Sequence, residues 1–142
     1  MEITEKIKQL CYESESLSEM MDLIESMDTP EELYLLLDHY NWDDGLEVPT
    51  AIALNENTDL AIAIKLYWLA SADYWYNSEV KPDTHNQQHY DFCKLISQNI
   101  ISGKYQVGKI SHDEKFNRVQ IYKFQKQNLP EVFYTPVVGF GF

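Results

Sequence analysis

The chain has 142 residues, of which 44% are hydrophobic and 13% aromatic, and its formal net charge is −12. That apolar content excludes a disordered chain, and five Gly and five Pro are too few for a turn-rich β sandwich. We therefore predict a compact, mainly α-helical single domain over residues 1–142. No stretch is long and apolar enough to cross a membrane, and the N-terminus lacks the apolar core of a signal peptide, so we expect a cytoplasmic location.

The negative charge is concentrated in the first third of the chain. Residues 1–47 contain fourteen Asp and Glu against two Lys, whereas residues 48–142 contain nine acidic and nine basic residues. A field of this sign repels nucleic acid and anionic lipid and attracts basic proteins. We therefore predict a basic protein partner and neither nucleic-acid nor membrane binding. The alternative is that these carboxylates are solvated helix faces that keep the protein soluble.

Helical periodicity begins near the N-terminus. Residues 3–12 predict a short helix, and residues 17–27 predict a second one with Ser16 or Ser18 as its cap. Acidic N-terminal helices thus take up residues 1–28.

The next helix has the clearest start signal in the sequence. Thr29-Pro30-Glu31-Glu32 places Thr at the N-cap, Pro at the first helical position and Glu where a capping box has it. This helix is expected to end near His39 or Tyr40. Asn41-Trp42-Asp43-Asp44-Gly45 then predicts a tight loop, because Asn and Asp bond their own backbone and Gly accepts positive φ.

Two further helices follow this loop. Pro49 opens a short helix that runs through Leu54. Either Thr58 or Asp59 can cap the next helix, over residues 60–71. That segment is apolar nearly all round, which is typical of a helix at the centre of a helical domain.

A loop over residues 77–84 precedes an amphipathic helix over residues 89–101, which Gly103 is placed to end. Its inward face is expected to contain Phe92, Cys93, Leu95, Ile96, Ile100 and Ile101.

The C-terminal extension, residues 104–142, is harder to assign. Residues 117–127 fit a helix and a strand about equally, so a short β or extended element stays open here. Residues 132–134 and 137–142 are both expected to be extended.

One block resembles a known family. Residues 40–49 read Tyr-Asn-Trp-Asp-Asp-Gly-Leu-Glu-Val-Pro, and residues 57–63 read Asn-Thr-Asp-Leu-Ala-Ile-Ala. This block resembles the bacterial domain of unknown function numbered 4274, with its Asn-Trp-Asp-Asp-Gly loop and its Asp-Leu start to an aliphatic helix. The resemblance covers about residues 31–76 and departs from the family at Ala61, where Gly is usual. It implies a compact helical fold and a bacterial source, and it assigns no activity.

The 41–45 loop is the main functional candidate, because it places Asp43 and Asp44 beside Trp42. Paired carboxylates can hold a hard cation or act as acid and base. The loop lacks the regularly spaced oxygen ligands of a calcium loop, however. In the structural alternative, Trp42 fills the core and Gly45 supplies the turn.

Two His residues also carry a candidate site. His85 and His89 are four residues apart, so they lie on one helix face at metal-ligand spacing, with Asp83 or Asp91 as a third ligand. No Glu follows the first His, so the zinc-protease motif is absent. Surface His residues are common at such positions, and we predict neither a metal nor a cofactor.

The remaining candidates are aromatic side chains and a thiol. Tyr74, Trp75 and Tyr76 are consecutive, so they cannot all point inward from one helix, and exposed Tyr and Trp are typical interface anchors. Cys93 with a His such as His89 would form a nucleophile and base, but its place on an apolar helix face favours an ordinary buried thiol.

These features together predict a protein-binding module. The leading hypothesis is a cytoplasmic immunity-type protein that neutralises a basic bacterial toxin domain. Its expected contacts are Trp42, Asp43, Asp44, Glu47, Trp75 and Tyr76. One alternative is a metal-assisted hydrolase of unrecognised type that uses Asp43, Asp44, His85 and His89. Another is a structural or oligomeric helper that docks through its apolar tail, residues 136–142.

Overall fold

The computed structural model describes residues 17–141. The helix expected over residues 3–12, with Cys11, and the Ser16 cap lie outside these residues. The chain divides after Thr58 into two compact units. The described residues form six α-helices and three short 3-10 helices and contain no β-strand, which confirms the mainly α prediction.

The described residues of the first unit, 17–58, form three α-helices. They are α1 (Leu17–Glu25), α2 (Pro30–His39) and α3 (Glu47–Leu54), with a 3-10 helix over Trp42–Asp44 between the last two. Its core is aliphatic and consists mainly of Met20, Leu23, Ile24, Met27, Leu33, Leu36, Leu37, Val48 and Ile52. Ser18 lies inside α1 and therefore does not cap it.

The Thr29 cap and the Pro30 position at the start of α2 form as predicted. Thr29 Oγ1 accepts a hydrogen bond from the Glu32 backbone N–H, and Pro30 occupies the first helical position. Because this Pro has no N–H to satisfy, it costs the helix nothing there. The helix ends at His39, with Tyr40 as its C-cap.

The turn after α3 is fixed by side chains that bond to backbone carbonyls. Asn55 Nδ2 donates to the Ile24 carbonyl at 3.2 Å, and Asn57 Nδ2 donates to the Met27 carbonyl at 3.2 Å. The Thr58 hydroxyl donates to the Ile52 carbonyl. These bonds tie the turn to backbone carbonyls at and just beyond the ends of α1 and α3.

The second unit is built on a buried helix, α4 (Leu60–Leu69). Asp59 rather than Thr58 caps it, since Asp59 Oδ1 accepts from the Ile62 N–H at 3.0 Å. Every residue from Ala61 to Tyr67 is buried, as expected for the centre of a helical domain. The helix ends two residues before the predicted boundary, because Ser71 adopts a left-handed conformation with φ of 55°.

The helix α5 (Gln87–Ile101) packs against α4 and begins two residues earlier than predicted. Phe92, Cys93, Ile96 and Ile100 are buried as expected. Ile101 is 53% exposed, so its inward assignment was wrong. The helix stops there and Gly103 follows with φ of 79°.

Aromatic side chains hold the C-terminal extension against α4. Tyr67 stacks on Phe133 with ring centroids 4.1 Å apart, and the Trp68 indole N–H donates to the Phe133 carbonyl at 2.6 Å. Trp68 also contacts the rings of Phe116 and Phe124.

The C-terminal extension itself is partly helical. Residues 117–127 resolve to α6 (Arg118–Lys126), because Asn117 and Gln120 form a reciprocal capping box. The extended segment expected over residues 132–134 was wrong: Glu131–Phe133 is a 3-10 helix. Val137 pairs with His112 in an isolated antiparallel bridge.

Candidate binding surfaces

The loop between α2 and α3 presents two carboxylates on a fixed backbone. Asn41 Oδ1 accepts from the Asp43 N–H at 3.1 Å, and the Tyr40 hydroxyl donates to the Gly45 carbonyl at 2.8 Å. Gly45 has φ of 110°, a value that disfavours any residue with a Cβ. The backbone bond expected of Asn41 and the positive φ expected of Gly45 are therefore confirmed, and the Asp43 and Asp44 side chains are exposed.

The burial of Trp42 fits neither of the two interpretations of this loop fully. It is half-buried, and its ring meets that of Tyr40 edge to face with centroids 6.1 Å apart. It is thus neither a fully buried core residue nor a freely exposed one. Glu47, at the first turn of α3, is exposed.

The electrostatics of the first unit are one-sided. Residues 17–58 contain eleven Asp and Glu and not one Lys or Arg. All of these carboxylates are exposed except that of Glu32, which is half-buried. The described part of this unit therefore has no Lys or Arg of its own to neutralise them.

Trp75 and Tyr76 lie in the second unit, directly after the 3-10 helix Ala72–Tyr74. The Trp75 ring stands between those of Tyr74, at 4.8 Å, and Tyr90, at 5.2 Å, and meets both edge to face. Tyr76 meets Phe133 edge to face at 5.8 Å. Tyr74 is 58% exposed, which confirms that one of the three consecutive aromatics reaches the surface.

A polar relay fixes the orientation of Trp75. Its indole N–H donates to His89 Nδ1 at 2.8 Å, and His89 Nε2 lies 2.6 Å from the Ala70 carbonyl oxygen. Indole nitrogen only donates and a carbonyl only accepts, so His89 is the neutral tautomer with its proton on Nε2. Trp75 is thereby tied through His89 to the end of α4.

Trp75 and Tyr76 open onto a cleft of about 180 Å³, which we call the aromatic cleft. One wall is the segment that follows α4, and the other is a stripe of α5 at helical spacing. It is lined by Ala72, Trp75, Tyr76, Asn77, Tyr90, Lys94, Ser97, Gln98 and Ile101. Lys94 is the only charged residue among them, and its Nζ lies over the Tyr90 ring, 5.9 Å from the centroid.

Comparison with known families identifies the chain. A family model described as Domain of unknown function (DUF4274) matches residues 28–101, more than half of the chain. The chain belongs to this family. No curated protein and no solved structure matches it significantly.

The DUF4274 match confirms the resemblance seen in residues 40–63 and extends it. It includes the 41–45 loop and all of α5, so both surfaces described above lie within the matched region. The family description names no activity, and function must be argued from the side chains themselves.

The geometry offers little to a metal centre. Within residues 17–141, no group of three or more His, Cys, Asp or Glu side chains is arranged to hold a metal ion. His89, one of the two candidate ligands, already uses both ring nitrogens. Asp83 Oδ1 accepts from the His85 and Asn86 N–H groups and so acts as a turn cap.

Cys93 and His89 are close together but do not form a nucleophile and base. Cys93 Sγ lies 3.6 Å from His89 Nε2, the nitrogen that donates to Ala70. No lone pair of His89 is left to take the thiol proton. Burial also raises the pKa of the Cys93 thiol to about 12, so it is protonated at neutral pH.

Sequence reasoning missed the α5 wall of the aromatic cleft. Tyr90, Lys94, Gln98 and Ile101 follow one another at intervals of three and four, which places them on one face of α5. That spacing was the available signal.

Within residues 17–141, no helix has the length and apolar composition to span a membrane.

Proposed function

We propose that this DUF4274 protein is a cytoplasmic protein-binding module of the immunity type, which neutralises a basic bacterial toxin domain. One observation carries the proposal: eleven carboxylates and no Lys or Arg in residues 17–58. Residues 1–58, the whole first unit, contain fifteen Asp and Glu against two Lys, so this unit repels itself and a cationic partner relieves that repulsion on binding. Complementary charge also speeds association and excludes partners of the wrong sign.

The 41–47 segment supports the proposal as the point of contact. Asp43, Asp44 and Glu47 are exposed, and the loop that holds the first two is fixed by Asn41 and Tyr40. Little backbone entropy is then lost when a partner binds, because the backbone that presents Asp43 and Asp44 is already positioned.

The second unit supplies aromatic contacts, which add short-range binding energy to the charge attraction of the first unit. Trp75 and Tyr76 are half-buried at the edge of the aromatic cleft, and Trp75 is fixed by His89. Interfaces take most of their binding energy from a few such Trp, Tyr and Arg side chains. We propose Trp42, Asp43, Asp44, Glu47, Trp75 and Tyr76 as partner contacts.

The proposal is tested first by affinity capture from a lysate of the source cell at low and moderate salt. We expect one basic protein, retained stoichiometrically and released as salt rises. Co-expression then tests the immunity role: the captured protein should arrest growth when expressed alone, and this chain should restore it. A captured protein that is harmless when expressed alone would leave binding intact and remove the immunity role.

Matched variants test the contact residues. D43N/D44N/E47Q should weaken binding of the captured protein about tenfold, since each exposed charge pair contributes up to about 1 kcal/mol. The control, E25Q/E31Q/E56Q, removes an equal number of negative charges from the same unit, at exposed positions outside residues 41–47. If both triple variants weaken binding equally, only the overall charge matters and the 41–47 contact is wrong.

A specific observation also favours the helper alternative. Val138 and Phe140 are 78% and 62% exposed, which is unusual for neighbouring large apolar side chains. If this tail mediates self-association, V138S/F140S should lower the solution mass measured by light scattering. An unchanged mass would count against self-association.

A further inference from the structure

The aromatic cleft carries a more specific inference about the partner. We infer that it receives an aromatic side chain of the partner protein that is flanked by a Glu or Asp. This inference rests on the proposed function, because Trp75 and Tyr76 are contacts of both. It adds the chemistry of the anchor, which the acidic first unit does not specify.

The size of the cleft favours a single side chain. Its volume of about 180 Å³ is smaller than the roughly 300 Å³ at which sites for drug-sized molecules begin. Three of its nine lining residues are aromatic, with Trp75 and Tyr76 on one side and Tyr90 on the other. Aromatic pairs in edge-to-face or offset geometry gain energy beyond the area that they bury.

The cleft is also formed in advance. Trp75 is held by its bond to His89 and stands between the rings of Tyr74 and Tyr90. A wall held by one hydrogen bond and two ring contacts need not be ordered at the moment of binding. The loss of side-chain entropy that usually reduces the affinity of a small anchor is therefore small.

The charge of the cleft favours an acidic residue of the partner over a basic one beside the aromatic anchor. Among residues 17–141, Lys94 is the only charged residue that lines it, and no Asp or Glu of that range does. Lys94 also lies over the Tyr90 ring, so a Lys or Arg of the partner would meet a like charge on an aromatic face that is already covered. A carboxylate beside the anchor instead meets Lys94 and the exposed Gln98 amide.

The two units thus differ in what they select. The first unit favours a partner that is cationic overall, whereas the aromatic cleft favours a local acidic-aromatic pair on that partner. A basic protein with an exposed Glu-Phe or Asp-Phe segment satisfies both conditions.

The test uses capped peptides and the full chain labelled with ¹⁵N. The probes are Ac-Gly-Glu-Phe-Gly-NH2, its Gln-Phe and Lys-Phe analogues, and Ac-Gly-Glu-Ala-Gly-NH2. The Trp75 indole N–H resonance reports binding directly, since this group lies in the cleft wall, and W75F assigns it. Salt of about 0.15 M shortens the Debye length to about 8 Å, which screens the distant carboxylates.

We expect the Glu-Phe peptide to shift the Trp75 resonance and the Glu-Ala peptide to leave it unmoved. The Gln-Phe peptide should bind about threefold more weakly, as expected for one exposed charge pair, and the Lys-Phe peptide more weakly still. K94Q should remove the preference for Glu over Gln. K104Q is the matched control, because Lys104 lies over the Tyr105 ring at 5.7 Å outside the cleft.

Other outcomes would overturn the inference. Equal binding of the Glu-Phe and Lys-Phe peptides, or an unchanged preference in K94Q, would show that Lys94 does not select the anchor. If no peptide shifts Trp75 while capture of the partner still depends on Trp75, the anchor chemistry is wrong and the proposed function survives. Peptide binding with no partner retained from lysate would support the cleft and count against the proposed function.

Discussion

The two units of the chain differ in how they use charge and aromatic side chains. Residues 17–58 contain eleven acidic residues and no Lys or Arg, whereas residues 59–142 contain eight acidic and nine basic residues. The first unit buries Leu, Ile, Met and Val, while Tyr67, Phe133 and their ring contacts lie at the centre of the second. Charge acts at long range and buried rings at short range. Under the proposed function, charge attraction of the partner belongs to the first unit and aromatic anchoring to the second.

The largest expected effect on the free energy of unfolding comes from a substitution in the aromatic core of the second unit. Phe133 is fully buried and stacks on Tyr67, so Phe133→Ala removes a ring from a packed site and should destabilise the protein by about 3–5 kcal/mol. Urea unfolding followed by circular dichroism measures this loss. Val132→Ala, at the half-buried neighbouring position, is the control and should cost about 1 kcal/mol. A loss below 1 kcal/mol for Phe133→Ala would mean that this ring is not central to the core.

The next largest expected effect is that alkaline pH destabilises the second unit more than the first. Burial raises the pKa values of Tyr67, Tyr105 and Cys93, which all lie in the second unit. A group whose pKa is raised by folding contributes stability below its unfolded pKa and loses it as pH increases through the folded value. For Cys93, with an ordinary thiol pKa of 9.0 and a folded pKa of about 12, that window is pH 9 to 12.

We therefore expect the urea midpoint to fall progressively above about pH 9. Amide exchange followed residue by residue should show the second unit opening first. Cys93→Ala should reduce the slope of stability against pH in this window, although it costs stability at neutral pH. A midpoint that stays constant to pH 11 would contradict the burial of these groups.

A smaller effect is expected to raise stability. The Tyr67 hydroxyl is buried and makes no hydrogen bond among the described residues. An unsatisfied buried hydroxyl costs free energy, so Tyr67→Phe should stabilise the protein by about 1 kcal/mol while it keeps the stack on Phe133. Tyr105→Phe is the control, because the Tyr105 hydroxyl accepts from Asn99 and its loss should destabilise. Opposite signs of these two changes in thermal unfolding would confirm the distinction.

Local chemistry made much of this fold predictable. The caps at Thr29 and Asp59 act on the backbone three residues away, so the sequence alone contains both partners of each bond. The turn at Asn41 and Gly45 was predictable for the same reason. The capping box at Asn117 and Gln120 was equally local, and attention to it would have settled the helix over residues 117–127.

Contacts distant along the chain were not predictable. Phe133 accepts the Trp68 indole bond from 65 residues away, and this packing makes residues 131–133 helical instead of extended. The aromatic cleft depends on Trp75 meeting His89, fourteen residues later. No short motif indicates such a pairing, and a Lys among aromatic residues on a helix resembles any amphipathic surface.

The smallest expected effect tests the charge of the first unit in the free protein. At low salt, D43N/D44N/E47Q should raise the free energy of unfolding by up to about 1 kcal/mol, because it removes three like charges from a unit with fifteen Asp and Glu against two Lys. Added salt should shrink this gain. K81Q/K104Q/K109Q is the counterpart in the charge-balanced second unit and should lower stability or leave it unchanged. A stabilisation of the same size there would mean that the two units do not differ in self-repulsion, and the charge argument for a basic partner would lose its physical basis.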